Sequence, residues 1–296
     1  MRVFMTGATG FIGSAVVEEL KAAGHQIEGL ARSDAAAATL VGWGVAARRG
    51  DVGQPQILAE AAAAADGVIH CAFGNDFSQY IQAGETDLAA VTAMAEALAG
   101  SGKPLVVTSG LTARTPGRPS TEADAADLDS MTAVRGRPEE AALAFAARGV
   151  RASVVRLSPS VHDRAQQGLV SMLVAAARGG GFAAYVGEGQ NRWPAVHRRD
   201  AARLFRLALE DAQPGQRLHA VGEEGVRLRD IAEVIGARLG LPVRGLTPEE
   251  AAAQLGFVGF VAVTDMPASS ALTRESLGWR PEHPGLIAGL RGDYLD

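Results

Sequence analysis

Three glycines, Gly7, Gly10 and Gly13, carry the clearest chemical signal in this chain, within Met5-Thr6-Gly7-Ala8-Thr9-Gly10-Phe11-Ile12-Gly13. A short apolar run, Val3-Phe4-Met5, precedes them, and an amphipathic segment from Phe11 to Leu20 follows. Strand, glycine turn and helix in that order are the setting in which backbone groups cradle a dinucleotide diphosphate. Gly7 allows the tight turn, Gly10 lets the backbone approach an anion, and Gly13 lets the helix pack close to the strand. The diphosphate then lies among Thr9, Phe11 and Ile12 at the helix N-terminus, where free N–H groups and the helix dipole favour negative charge.

The end of the second strand bears on which dinucleotide fits. A chain that binds NAD places Asp or Glu there, about 20 residues past the glycines, to hold the ribose 2′-OH. Here the residues are Ala31-Arg32-Ser33. A carboxylate repels a 2′-phosphate, whereas Arg32 can pair with it bidentately and Ser33 can donate a hydrogen bond. NADP(H) is therefore expected ahead of NAD(H). Asp34 reads as the N-cap of the next helix.

Behind these groups, strand-like and helix-like segments alternate over the first 160 residues, as a parallel sheet with helices on both faces requires. Strands are expected at Met1–Thr6, Gln26–Ala31, Val45–Arg49, Gly67–Ala72, Pro104–Ser109 and Val150–Leu157. Helices are expected at Phe11–Leu20, Asp34–Val41, Pro55–Ala65, from Gln79 or Glu85 to Leu98, and Pro138–Ala147. Later helices near 166–178, 200–210 and 228–239 alternate with short strands at Ala183–Val186 and Arg217–Val221. These later segments read as a cap over the carboxyl ends of the sheet. The expected division is residues 1–160 for the nucleotide and 161–296 mainly for a substrate cap, with some later segments returning to the sheet.

Composition narrows the function classes. The chain has 296 residues, a net charge of -5 and two lysines, Lys21 and Lys103. No basic footprint for nucleic acid exists, nor one for an anionic membrane surface. Cys71 is the single cysteine, so no internal disulfide can form, which suits a reducing cytoplasm. No apolar run is long enough to span a bilayer. The six histidines are scattered and no Cys pair or His-Glu-x-x-His occurs, so no metal site is expected. A cytoplasmic protein with a small-molecule substrate, and without nucleic-acid or membrane partners, is expected.

The spacing G-x-x-G-x-x-G, with Thr6 in front, resembles the signature of extended and atypical short-chain dehydrogenases/reductases, the group that includes NAD(P)-dependent epimerases and dehydratases. The resemblance covers nearly the whole chain. It includes Asp51, the Val196-His197-x-x-Asp200 segment, Leu228-Arg229-Asp230-Ile231-Ala232 and Leu277-Gly278-Trp279-Arg280-Pro281. It implies a Rossmann-like doubly wound α/β fold with a smaller C-terminal cap. It also allows a homodimer through two sheet-flanking helices. By the same resemblance, Asp51 and Val52 would hold the adenine, Cys71-Ala72-Phe73 would flank the adenosine ribose, and Ser158 would close the cofactor site from the sixth strand. Cys71 itself reads as a buried small residue.

The resemblance fails at catalysis. The family uses a Ser or Thr after the fifth strand and Tyr-x-x-x-Lys on the next helix, the Tyr working as acid/base and the Lys lowering its pKa. In this chain Tyr occurs at 80, 185 and 294, and no Lys lies four residues after any of them. Arg135 stands where the Tyr is expected and Glu139 where the Lys is. Arginine is a poor proton donor, with a pKa above about 12. Arg135 could still bind the ribose or a substrate carboxylate, with Glu139 as its partner. In register the catalytic hydroxyl falls on Gly110, so Ser109 or Thr112 would supply it from a shifted position, Ser109 being preferred. The polar stretch from Ala184 to Asp200 offers Tyr185 and His197 as replacement proton donors, although a His at 197 can equally order the loop. His70 reads as core.

Three functions follow as expectations. The first is an NADP(H)-dependent oxidoreductase acting on a small carbonyl or other unsaturated molecule. The second is a non-catalytic NADP(H)-binding redox sensor. The third is a sugar-nucleotide epimerase or dehydratase.

Overall fold

The computed structural model describes residues 1–74, 79–113, 115–130, 133–166 and 168–296. Seven strands form one parallel sheet: β1 (Arg2–Thr6), β2 (Gln26–Ala31), β3 (Ala46–Arg49), β4 (Gly67–His70), β5 (Pro104–Gly110), β6 (Arg151–Leu157) and β10 (Gln216–Ala220). Their order is β10-β6-β5-β4-β1-β2-β3. The chain steps outward from β1 to β3 and then returns to the other side of β1 for β4. The strand order therefore reverses between β1 and β4, and a crevice opens at their carboxyl ends, where such sheets bind ligands. Runs such as Leu105-Val106-Val107 are apolar throughout because both faces of the sheet are covered.

Helices α1 (Phe11–Ala22), α2 (Asp34–Gly42), α3 (Pro55–Ala64), α4 (Tyr80–Ala97), α5 (Ala133–Ala144) and α7 (Arg198–Asp211) cover the sheet. On α1 the buried residues Gly13, Val16, Val17 and Leu20 follow helical spacing. Pro55 sits in the first turn of α3, where its missing N–H has no partner to lose. Several boundaries differ from expectation by a few residues, and two of the differences bear on the site. Ser33, not Asp34, caps α2: its Oγ accepts the Ala36 N–H at 3.1 Å, and Asp34 is the first helical residue. Helix α5 begins at Ala133 and carries Pro138 inside it. The usual place of proline in a first turn is what made Pro138 read as the start.

The rest of the chain builds two small sheets and several helices. One sheet has the order β11-β9-β7, from β7 (Ser160–His162), β9 (Arg192–His197) and β11 (Glu223–Arg227). The other pairs β8 (Ala183–Val186) with β12 (Val243–Leu246) in parallel. Around them lie α6 (Leu169–Gly180), α8 (Leu228–Leu239), α9 (Pro248–Leu255), α10 (Phe257–Ala262), α11 (Ala271–Leu277) and α12 (Leu286–Arg291). Residue 167, within the helix expected at 166–178, lies outside the described residues. Strand β10 joins the large sheet, and Val161, Val196 and Trp279 share an apolar cluster with Val3 and Met5. Among the described residues, no helix is long and apolar enough to cross a membrane.

An ion cluster centred on the fully buried pair Glu139 and Arg156 ties α5 to the far edge of the sheet. Glu139 on α5 accepts from Arg156 Nε on β6 at 3.1 Å and from Arg217 Nε on β10 at 3.0 Å. Arg217 also reaches Glu140 at 2.6 Å. Glu139 is thus the partner of Arg156 and Arg217, not of Arg135. Removing one member of such a buried set strands a charge and costs about 3–5 kcal/mol. Glu139→Ala should lower stability by about that amount in urea denaturation; a loss below about 1 kcal/mol would mean that α5 is held by other contacts.

Candidate functional site

Each glycine of the turn has a distinct steric reason. Gly7 has φ +68°, and a Cβ there would lie 2.6 Å from the Ala72 nitrogen at the end of β4. A Cβ on Gly13 would lie 2.0 Å from the Gly7 carbonyl oxygen. On Gly10 it would meet that same backbone oxygen at 3.1 Å, a tight contact and the only one within 4 Å. Gly10 is the N-cap of α1 and offers no side-chain acceptor, and the first turn holds no acidic residue. The N–H groups of Phe11 and Ile12 find no acceptor among the described residues. Thr9 and Gly10 are exposed. An anion is the missing complement of this terminus.

At the other end of the crevice Arg32 is exposed and makes no ion pair among the described residues. Ser33 Oγ is engaged as the α2 cap, which leaves only its O–H to donate to a ligand. Arg49, at the end of β3, lies directly across from Ala31 and pairs with Asp34 at 3.2 Å. Two guanidinium groups therefore flank the end of β2. The Asp51 carboxylate accepts the Gly53 N–H at 2.9 Å, which fixes its turn, and Val52 packs against the core below.

Between these ends, where β1, β4 and β5 terminate, runs a chain of buried polar groups. Thr6 Oγ1 accepts the Ala72 N–H at 3.2 Å and lies 2.7 Å from His70 Nδ1. With the Thr6 hydroxyl donating to Nδ1, the His70 Nε2–H donates to Asp87 Oδ1 at 2.7 Å. The other oxygen of Asp87 accepts from Arg135 Nη1 at 2.7 Å, and Arg135 Nη2 donates to the Thr108 carbonyl at 2.6 Å. The guanidinium lies 3.9 Å above the Phe73 ring. Thr6, His70 and Asp87 are buried, and the Arg135 side chain is 13% exposed. Arg135 is thus a cation locked in place at the mouth of the crevice. Beside it the Thr108 hydroxyl donates to the His70 carbonyl at 2.7 Å and lies 3.5 Å from Cys71 Sγ, and burial pushes the Cys71 thiol up to about 12.

Arg135, Phe73, Ala72 and Cys71 therefore come together next to Gly7. The other catalytic candidates do not join them. Ser109 is buried, and its Oγ donates to the Arg135 carbonyl at 3.2 Å, so it secures α5 and does not face the crevice. The adjacent Gly110 faces open space. Ser158 Oγ donates to the Ala220 carbonyl at 2.7 Å and ties β6 to β10, so its proton is engaged within the protein. Tyr185 packs among the C-terminal elements, below Arg229 at 5.3 Å, and β8 contacts α6, α8, α9 and α10. His197 is the N-cap of α7, its Nδ1 accepting the Arg199 N–H at 3.2 Å.

His70 was expected in the core only, and Asp87 was not among the expected site residues, although its signal was present: it falls on the buried stripe Gly84, Asp87, Ala90, Val91, Met94 of α4, where a lone carboxylate demands a partner. Arg49 carried no local signal; only the pairing of β3 with β2 brings it to Arg32.

Three histidines meet where the ends of β7 and β9 reach the start of α7. His197 stacks on His283 with centroids 4.5 Å apart, and His162 meets His197 edge-on at 5.6 Å. His197, Asp200 and His283 offer ligand atoms within 4.8 Å of one another. The two rings are only 9° from parallel, however, and a metal must lie in the plane of each imidazole that binds it. Asp200 instead accepts from the Glu282 and His283 N–H groups at 3.0 and 3.1 Å and holds the C-terminal segment on α7. Burial, followed by His197, pulls the His162 imidazole down to about 3. Its folded value lies below the unfolded one, so above about pH 6.5 it adds nothing, and stability is lost as pH falls from there toward about 3. Between about pH 6.5 and 5 this single group should cost about 2 kcal/mol. Urea denaturation should show that loss in the wild type and a smaller one in His162→Gln; equal losses would show that His162 is protonated when folded.

Residues 3–221 match the model of the NAD dependent epimerase/dehydratase family. The chain belongs to that family. A relative, the uncharacterized protein YLL056C of Saccharomyces cerevisiae, is 44% identical over 296 residues, 99% of each chain. The fold is shared with the dTDP-glucose 4,6-dehydratase DesIV of Streptomyces venezuelae, solved with NAD bound. There the TM-score is 0.79, with 21% identity over 99% of this chain and 96% of that one. It is also shared with the UDP-glucose 4-epimerase of Thermus thermophilus in complex with NAD, at TM-score 0.77 and 21% identity over 99% and 98%. Membership in this family agrees with the nucleotide cradle.

Proposed function

We propose that the chain is an NADP(H)-dependent oxidoreductase acting on a small carbonyl or other unsaturated molecule, with Arg135 as the group that holds the reacting oxygen. The observation that carries this reading is the Arg135 guanidinium, fixed by Asp87 and the Thr108 carbonyl beside the glycine turn. The cradle at Gly7–Gly13 suits the dinucleotide diphosphate, and Arg32, with Arg49 nearby, suits a 2′-phosphate. A bound dihydronicotinamide would supply the hydride. Arg135 would orient the carbonyl oxygen and stabilise the negative charge growing on it, as a preorganised cation does. A guanidinium keeps its proton, so the oxygen takes its proton from water. Hydride on carbon and proton on oxygen give the alcohol.

A second reading, a sugar-nucleotide epimerase or dehydratase, is favoured by the family itself and by the dehydratase and epimerase that share the fold. It asks for an acid/base group that Arg135 does not provide. The third, a non-catalytic redox sensor, needs the cradle and not the fixed cation.

Calorimetry with NADPH and NADH, then assays of NADPH oxidation with aldehydes, ketones and quinones, separate the three. NADPH should bind tighter, and Arg32→Ala should erase about tenfold or more of that preference. Arg135→Ala should slow turnover about 100- to 1,000-fold and leave NADPH affinity within a few-fold. Conversion of a UDP- or dTDP-hexose without net NADPH loss would favour the second reading. Tight binding without any turnover would favour the third.

A further inference from the structure

Arg198 is not explained by the site above, although its head group sits at the cofactor cradle. It is the first residue of α7, yet its Nη1 donates to the Phe11 carbonyl at 3.1 Å, at the first residue of α1. Its guanidinium covers the Phe11 ring at 4.9 Å. Nε lies 2.8 Å from Asp163 Oδ2, just past β7. Nη2 finds no acceptor among the described residues. The side chain is 18% exposed.

The sign of the charge is the anomaly. A helix N-terminus carries partial positive charge and disfavours a cation beside it. Here a guanidinium is held against the first turn of α1, whose N–H groups already lack acceptors. Asp163 is the counter-charge that holds Arg198 there. Its other oxygen is engaged locally, accepting from Ala165 and Gln166 N–H groups at 2.7 and 3.3 Å.

From these positions we propose that Arg198, at the start of α7, contributes to cofactor binding as a cation for the dinucleotide diphosphate, and that Asp163 is a positioning residue holding it at the glycine turn. The inference rests on the reading of that turn as a dinucleotide cradle. A diphosphate lying across the Phe11 and Ile12 N–H groups would accept the free Nη2–H and neutralise the clash of like signs. Asp163 then has two consequences: it orients Arg198 before the ligand arrives, and it competes with the ligand for the charge. Since Asp163 belongs to the loop after β7 and Arg198 opens α7, occupancy of the cradle is felt directly by both of these segments.

Calorimetry tests this with NADPH and NADH, which carry the diphosphate, and adenosine 2′-phosphate, which lacks it. Arg198→Ala should weaken both dinucleotides about tenfold or more and leave adenosine 2′-phosphate within about twofold. Asp163→Asn keeps the oxygen that caps the 163–166 turn and removes the charge. It should tighten the dinucleotides a few-fold, a direction that a merely structural anchor would not produce. Dinucleotide binding by Arg198→Ala equal to wild type, or an equal loss of adenosine 2′-phosphate, would overturn the proposal. Absence of dinucleotide binding by the wild type would instead overturn the reading of the cradle, and this inference with it.

Discussion

The Asp87 carboxylate is the constraint around which the crevice is arranged. It is buried between His70 and Arg135, and a buried carboxylate is tolerated only where donors and a counter-charge satisfy it. Meeting that demand fixes α4 relative to β4 through His70, and α5 relative to both through Arg135. His70 extends the arrangement to Thr6, and Thr6 to the Ala72 N–H, whose nitrogen lies against Gly7. The cradle for a diphosphate and the cation at the crevice mouth are thereby parts of one hydrogen-bonded chain. Moving one of them without the others would leave a buried polar group unpaired.

This dependence also explains why a guanidinium can occupy a place where proton transfer would be expected. A neutral side chain there would leave Asp87 with His70 alone. Arg135 balances the charge and lies over Phe73, which shields one face of the pair from water. What a fixed guanidinium offers is electrostatic, a positive charge set in place in advance of any ligand. The ion cluster of Glu139, Arg156 and Arg217 anchors α5 in the same manner at the edge of the sheet. Two separate sets of charges therefore pin this one helix.

The large sheet was legible because its signals are local and repeated. Apolar strands between amphipathic helices identify the alternation, and β2 and α8 fall where the pattern puts them. The glycine turn was legible because its spacing is local: Gly7 has a positive φ and Gly13 packs on the Gly7 carbonyl, although Gly7 also makes room for Ala72 of β4. What escaped was set by long-range partners. Strands β7, β9, β11 and β12 are short, and β9 includes Pro194, so their period-two signal is weak. Arg135 and Glu139 share a helix face at i, i+4 spacing and so read as a pair, but each finds an opposite charge from another element. Ser109 and Ser158 read as ligand hydroxyls from their places at strand ends, and only the fold shows carbonyls taking their protons.

Whether Asp87 holds Arg135 as a fixed cation next to a dinucleotide cradle is tested most directly by the 15N spectrum of arginine guanidinium groups in the labelled protein. The Arg135 signal is assigned by its loss in Arg135→Lys. A slowly exchanging Arg135 resonance is expected, one that shifts on titration with NADPH and exchanges rapidly in Asp87→Asn. A fast-exchanging Arg135 signal in the wild type, or one unmoved at saturating NADPH, would contradict that role.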